Sequence, residues 1–174
     1  HARMMVELTL HKMADGGIND QLGGGFHRYS TDTVWLVPHF EKMLYDNALL
    51  AQVYAEAAVR YDNDFYRAVA DSTLDWLERE LWLPAGGFGS ALSAEDPQGE
   101  GAYYTWTPQS VAEAVGPELA PLACDLFGVS RAGNYEGASV LHVVESPDAL
   151  ARRHGLTLER FWEELGRIRT AMLE

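Results

Sequence analysis

Residues 40–61 have the sequence FEKMLYDNALLAQVYAEAAVRY, a long stretch without glycine or proline. After Asn47 its apolar side chains fall on nearly every face of a helix, which predicts a helix buried on all sides. In the next stretch, 64–82, apolar residues form one stripe and charged residues lie opposite, which predicts a helix with one exposed face. An inner helix followed by an outer helix is expected where two concentric helical layers form a ring. We therefore predict an all-α fold, a partial α/α toroid.

The segments between helices share one pattern, in which a glycine or asparagine and an aromatic residue precede a β-rich run and a proline. The three copies are Gly25-Phe26 before 34–37 and Pro38, Gly87-Phe88 before 103–106 and Pro108, and Asn134-Tyr135 before 140–144 and Pro147. Glycine permits positive φ and alternating aromatics suit strands, so each copy predicts a short β-hairpin whose proline opens a helix. The remaining predicted helices are 2–13, 108–115, 117–127, 147–154 and 158–173.

Composition limits the class of protein. The chain has 174 residues, of which 47% are hydrophobic, and this is enough for a single domain with its own core. The net charge of −13 argues against nucleic-acid binding, and no apolar run is long enough to cross a bilayer. Cys124 is the only cysteine and is expected to be a small buried hydrophobe on a helix. No secretory leader is evident, so a cytoplasmic location is expected.

The stretch 23–47 is the richest in groups that could carry chemistry. At helical spacing His39, Lys42 or Met43, and Asp46 would share one face, and Glu41 and Tyr45 the neighbouring one. Structural alternatives stay open. Glu41 could only stabilise a helix N-terminus, and Lys42 could only form an i,i+4 pair with Asp46. An acidic residue inside an otherwise apolar helix nevertheless favours a function for Asp46.

A second polar cluster lies further along the chain, where Glu95, Asp96 and Glu100 precede the aromatics Tyr103, Tyr104 and Trp106. Carboxylates beside aromatic rings are typical of sugar sites, because rings pack against sugar faces and carboxylates bind hydroxyls or transfer protons. A solvated loop is the alternative. No metal-ligand spacing, nucleotide-binding glycine motif or nucleophile motif is present, so no metal and no cofactor is predicted.

Several stretches resemble one known family. They are GGINDQLGGGFHRYSTDTVWLVPHFEKMLYDNALL (16–50), GGFGSALSAED (86–96), GAYYTWTP (101–108) and FGV, GNYEG and VLHV within 127–143. This is the thioredoxin-domain-containing family that includes spermatogenesis-associated protein 20. The helical part of its members is similar to N-acylglucosamine and cellobiose 2-epimerases and other six-hairpin glycosidase-like toroids.

The resemblance implies that the chain is a fragment of such a toroid, without the thioredoxin-like domain and the later helix pairs, and that it is inactive alone. Carbohydrate processing or binding is then expected. The acid/base candidates are His39, Asp46 and Asp96, and the substrate-binding candidates are His27, Arg28, Tyr29, Glu41, Tyr45, Glu95 and Trp106. A sugar or another small polar molecule is the expected partner. The alternatives are a non-catalytic scaffold beside a redox domain and, with less support, a cyclase-like toroid. Uncovered inner helices also predict self-association.

Overall fold

The computed structural model describes all 174 residues and divides the chain into two compact units, His1–Tyr103 and Tyr104–Glu174. The first unit contains α1 (Ala2–Asp15), β1 (Tyr29–Ser30), β2 (Pro38–His39), β3 (Lys42–Met43), α2 (Leu44–Tyr61), α3 (Asp64–Trp76, continued by a π-helical turn at Leu77–Leu81) and β4 (Ala91–Leu92). The second contains β5 (Thr105–Trp106), α4 (Pro108–Val115), α5 (Ala120–Phe127), β6 (Ser139–Val140), α6 (Pro147–Arg153) and α7 (Leu158–Leu173). A short 3₁₀ turn, Ala102–Tyr104, lies at the boundary.

Seven helices and three short antiparallel strand pairs confirm a mostly helical fold. Closure into a toroid stays a prediction, as does the single domain. No helix of the chain combines the length and the apolar character needed to span a bilayer.

Local signals explain most helix ends. Asn63 accepts a hydrogen bond from Phe65 N at the start of α3, and Thr107 forms a reciprocal capping box with Ser110 at the start of α4. Pro108 and Pro147 occupy the first turns of α4 and α6, as predicted.

The predicted start of the second helix is wrong. Residues 40–43 are not helical, Lys42–Met43 forms β3, and α2 begins only at Leu44. The reason is nonlocal, since Lys42–Met43 pairs with Ala91–Leu92, nearly fifty residues further along the chain. Pro38 accordingly lies in a strand, opposite Ser30, and does not open a helix.

The predicted hairpins are only partly correct. β1 and β2 form one local hairpin, although its second strand is Pro38–His39 and the run 34–37 belongs to the connecting loop. The other two pairs, β3 with β4 and β5 with β6, join segments that are distant in sequence. Two of the three strand pairs therefore join different connecting segments. The sequence pattern had predicted a local hairpin within each segment.

The core of the first unit lies between α1, α2 and α3. Tyr54 is fully buried, its hydroxyl donates to Leu10 O at 2.7 Å, and its ring stacks on Phe26 at 5.5 Å. Each large apolar side chain buried in this way stabilises the fold by about 1.5 to 3 kcal/mol. The prediction that α2 is buried on all sides is wrong, because Leu49 is 61% and Val59 is 83% exposed.

The second unit has its own core, formed by α4 to α7. Leu150 of α6 and Phe161 and Ile168 of α7 are completely buried there. Cys124 lies on α5, as expected, and is half-buried. Burial raises the pKa of its thiol, with a further contribution from Asp125, and this favours the neutral thiol over the thiolate.

Candidate functional site

The segment from Pro38 to Met43 determines which groups face solvent and which face the core. Its two ends are strands, in which successive side chains point to opposite sides, and burial alternates from residue to residue through the whole segment. Pro38, Phe40 and Lys42 are buried, whereas His39 and Glu41 are half-buried and line an open cleft. The helical face proposed for His39, Lys42 and Asp46 does not exist, because this segment has a period of two.

On the core side, Lys42 forms a buried ion pair. Its side chain is 1% exposed, and Nζ donates to Asp20 Oδ2 at 2.6 Å and to Gly24 O at 2.9 Å. The ammonium also lies 5.0 Å from the centre of the Trp76 ring. Burial lowers the pKa of Lys42, opposed by the charge of Asp20. Burial acts to raise the pKa of Asp20, but Lys42 and its other polar neighbours outweigh burial and lower it.

Asn47 provides a second link between α2 and the glycine-rich loop. The side chain is completely buried, accepts from Phe26 N at 2.6 Å, and donates to Phe26 O and Met43 O at 2.9 Å. Both links hold the backbone of residues 20–26 against the start of α2. The part of the chain just before the cleft residues is therefore held rigidly.

His27 belongs to this buried layer and does not line the cleft. It is 2% exposed, and its Nδ1 donates to Phe40 O at 3.1 Å. Burial, together with the positive charge of Lys42, lowers the pKa of His27 to about 3. The ring is therefore neutral near pH 7. It lies behind the cleft and holds the backbone of Phe40 in position through this hydrogen bond.

On the solvent side, His39 lies between two carboxylates. Its Nδ1 is 2.7 Å from Glu100 Oε1, and its Nε2 is 3.2 Å from Glu41 Oε2. The Tyr29 ring stacks on the imidazole at 5.1 Å, and Arg28 forms an ion pair with Glu41 at 3.0 Å. Either neutral tautomer of the ring donates to one carboxylate, and the doubly protonated ring donates to both.

The cleft has a volume of about 740 Å³ and is open to solvent. Its second wall is the loop 93–100, which contributes Ser93, Ala94, Glu95, Asp96, Pro97 and Glu100. Asp96 Oδ1 accepts from Gln98 N at 2.7 Å, an Asx turn that shapes the loop. The two polar clusters of the sequence, around His39 and around Asp96, thus meet in one place.

Gly101 fixes the end of this loop. Its φ is +78°, and a Cβ at this position would lie 2.3 Å from Phe40 Cε2. Only glycine allows the loop backbone to approach the buried Phe40 ring this closely in this conformation. The loop is therefore attached at two points, through Gly101 on Phe40 and through Glu100 on His39.

Asp46 and Trp106 are not among the residues that line the cleft. Asp46 lies in the first turn of α2, and its Oδ2 is buried without a hydrogen-bond partner within the chain. Burial raises the pKa of Asp46, and the nearby charge of Arg28 opposes this shift. Trp106 lies in β5 of the second unit, paired with Ser139. Tyr45, half-exposed on α2, contacts Arg28.

Three residues of the site were missed or undervalued by the sequence analysis. Glu100 was weighed as a solvated loop residue, and its contact with His39 spans 61 positions, so no local signal indicated it. Asp20 was not considered and Lys42 was assigned to a helix. Pro38, Phe40 and Lys42 lie at every second position, as residues on one face of a strand do. This alternation was the available signal that the Lys42 side chain points inward.

None of the groups of His, Cys, Asp and Glu side chains has an arrangement that could hold a metal ion. The chemistry that the cleft can support is proton transfer between an imidazole and carboxylates, beside an aromatic ring.

Comparison with known proteins identifies homologues. The chain is 41% identical over 183 aligned positions to human "Spermatogenesis-associated protein 20", with 91% of the chain and 23% of the relative covered. The mouse protein of the same name is 40% identical over the same share. A Caenorhabditis elegans protein, "Uncharacterized protein B0495.5", is 32% identical over 80% of the chain and 21% of the relative. No family model matches. The chain spans about a quarter of the length of these relatives and is homologous to that segment.

Proposed function

We propose that the cleft between the segment 38–43 and the loop 93–100 binds a carbohydrate and carries out acid/base chemistry on it. One observation supports this most directly. The two ring nitrogens of His39 lie 2.7 Å from Glu100 and 3.2 Å from Glu41. The imidazole lines an open cleft, and the Tyr29 ring stacks on it. A proton can move between such an imidazole and its neighbours without large rearrangement.

The proposal assigns a role to each wall of the cleft. His39 would exchange a proton with the substrate, and Glu100 would hold its ring in orientation. Asp96, on the opposite loop, is the second acid/base candidate. A positioned proton donor or acceptor contributes about 10²- to 10⁴-fold to a rate. Tyr29 would offer its ring edge and hydroxyl to the sugar, and the Arg28–Glu41 pair would border it.

We further propose that the chain is part of an α/α toroid of the six-hairpin, 2-epimerase-like kind, within a longer protein that has a thioredoxin-like domain. The helix pair α2 and α3 supports this, because only Asp62 and Asn63 separate the two helices and they must run in opposite directions. Two of the strand pairs, β3 with β4 and β5 with β6, join the connecting segments on either side of a helix pair, which is compatible with a ring of repeated helix pairs. The relatives, more than four times as long as the aligned segment, leave room for both parts.

The test uses the purified chain and a panel of neutral mono- and disaccharides. Binding is measured by NMR titration and calorimetry, and exchange of the proton at sugar C2 with deuterium is followed by NMR. We expect saturable binding, weakened by His39→Gln and by Asp96→Asn. The full-length human relative is assayed in parallel, because the chain aligns with only 23% of its length.

His11→Gln is the matched control, because His11 is exposed, contacts Phe65 and Tyr66 of α3, and lies outside the cleft. It should leave sugar binding unchanged. Absence of binding and of exchange in both proteins would contradict the proposal and favour the scaffold alternative. His39, Glu41 and Glu100 would then only fasten the loop 93–100 to the strand.

A further inference from the structure

A second recess, outside the cleft, is apolar and open. It lies between α1 and the C-terminal half of α2, has a volume of about 690 Å³, and includes Val6, Leu10, Val53 and Val59 among its lining residues. Val53 is 44% and Val59 is 83% exposed. Valines at this exposure on a well-formed helix lose the contribution that burial would give, so a covering surface would stabilise them.

The charges around this groove are balanced, unlike those of the chain as a whole. The chain carries −13, which opposes approach of two copies. The groove is lined by one acid and one base, Glu56 and Arg60. On α1 beside it, Arg3 forms an ion pair with Glu7 at 3.0 Å. Two copies can therefore meet here with little repulsion between nearby charges.

The order of the two charges on α2 also suits a symmetric contact. Glu56 and Arg60 are four residues apart and lie one helical turn from each other on the same side of the helix. When two copies of α2 cross in opposite directions about a two-fold axis, Glu56 of each copy faces Arg60 of the other. The same axis brings the exposed Val59 side chains together at the centre.

We propose that the α1–α2 groove is the interface with a second copy of this chain, in a closed two-fold dimer. The apolar groove gives the buried centre and the Glu56 and Arg60 pairs form its rim. This arrangement corresponds to the usual anatomy of interfaces, with an apolar core and a polar border.

Sedimentation equilibrium of the purified chain tests the proposal. The wild type should be a dimer with a measurable dissociation constant. Val59→Glu should raise this constant at least about tenfold, because it places two carboxylates at the centre of the contact. Val59 is almost fully exposed in the single copy, so circular dichroism should show an unchanged fold. Val144→Glu, at a half-exposed valine that is not among the residues lining the groove, is the matched control and should dimerise as the wild type does.

Exchanging the charges of Glu56 and Arg60 distinguishes this two-fold geometry from nonspecific association. Glu56→Arg alone and Arg60→Glu alone should each weaken the dimer by roughly 2- to 30-fold, because the axis duplicates each lost pair. The double exchange should restore affinity. A monomeric wild type overturns the proposal. The groove would then be covered by a different partner and not by a second copy of this chain. A dimer insensitive to Val59→Glu, or open-ended polymers, overturns it equally.

Discussion

His27 and His39 are twelve residues apart and have opposite surroundings. His27 is 2% exposed and donates to a backbone carbonyl, whereas the side chain of His39 is 27% exposed between two carboxylates. The family resemblance implied a site role for both, His39 in acid/base chemistry and His27 in substrate binding. Their difference depends on pleat and pairing, since β1 and β2 bring Tyr29 opposite His39 and leave His27 facing inward.

His27 makes stability depend on pH. Its pKa is about 3 in the folded chain and about 6.5 when unfolded, so between these values the unfolded state binds a proton that the folded state does not. Stability contributed by the neutral ring is present above about pH 6.5 and is lost as pH falls toward 3, at about 1.4 kcal/mol per pH unit. His27→Gln should reduce the slope of the unfolding free energy between about pH 6 and 4.5 by this amount.

Urea unfolding at a series of pH values measures that slope. Tyr54→Phe is the control, because it removes a buried hydrogen bond to Leu10 O without removing a group that titrates in this range. It should lower stability by a similar amount at every pH. An unchanged slope in His27→Gln would show that the ring is not held neutral in the folded chain.

Among the elements, the loop 93–101 depends most on a single backbone position. Gly101→Ala adds a Cβ against Phe40 and places alanine at a φ of +78°. We expect a loss of about 2 to 4 kcal/mol from strain and displacement of the ring. Amide hydrogen exchange should also increase along the loop, because its attachment next to Glu100 is lost.

Gly86→Ala is the matched substitution. Its φ is +87°, but nothing lies within 4 Å of the added Cβ. It should cost only the conformational strain, about 1 to 2 kcal/mol. Equal losses in the two variants would show that the contact between Gly101 and Phe40 does not hold the loop.

Helix ends determined by neighbouring residues were predictable, and strand contacts were not. The interval 158–173 was predicted correctly for α7, which begins after the Thr157 cap. The start of α2 was predicted four residues too early, because Glu41, Lys42 and Met43 favour helix, as do the alanines and leucines after Leu44. Pairing with β4 overrides that local preference, and its partner residues could not be identified from this sequence alone.

At the scale of the whole molecule, 26 acidic residues face only 13 lysines and arginines. Compaction brings these like charges together, and screening by salt relieves the repulsion. Raising sodium chloride from about 0.02 to 0.3 M should therefore stabilise the chain by roughly 1 kcal/mol. The urea midpoint measures the effect, and choline chloride at equal ionic strength is the control for specific sodium binding. A loss of stability with salt would mean that ion pairs outweigh the net repulsion.

Composition and helix periodicity were sufficient to predict a mostly helical chain, but not how its helices are covered. The apolar residues of α2 predicted burial on all sides, and part of that surface is exposed. A sequence indicates which side chains gain from burial, and the covering surface depends on the assembled molecule.

The alternation along residues 38–43 has a practical consequence for protein engineering. Positions 39 and 41 can be randomised to alter what the cleft accepts, while positions 40 and 42 are kept to preserve the fold. Deleting one residue of the segment would instead exchange the two sets, exposing the lysine and burying the histidine, so the segment tolerates replacement far better than a change of length.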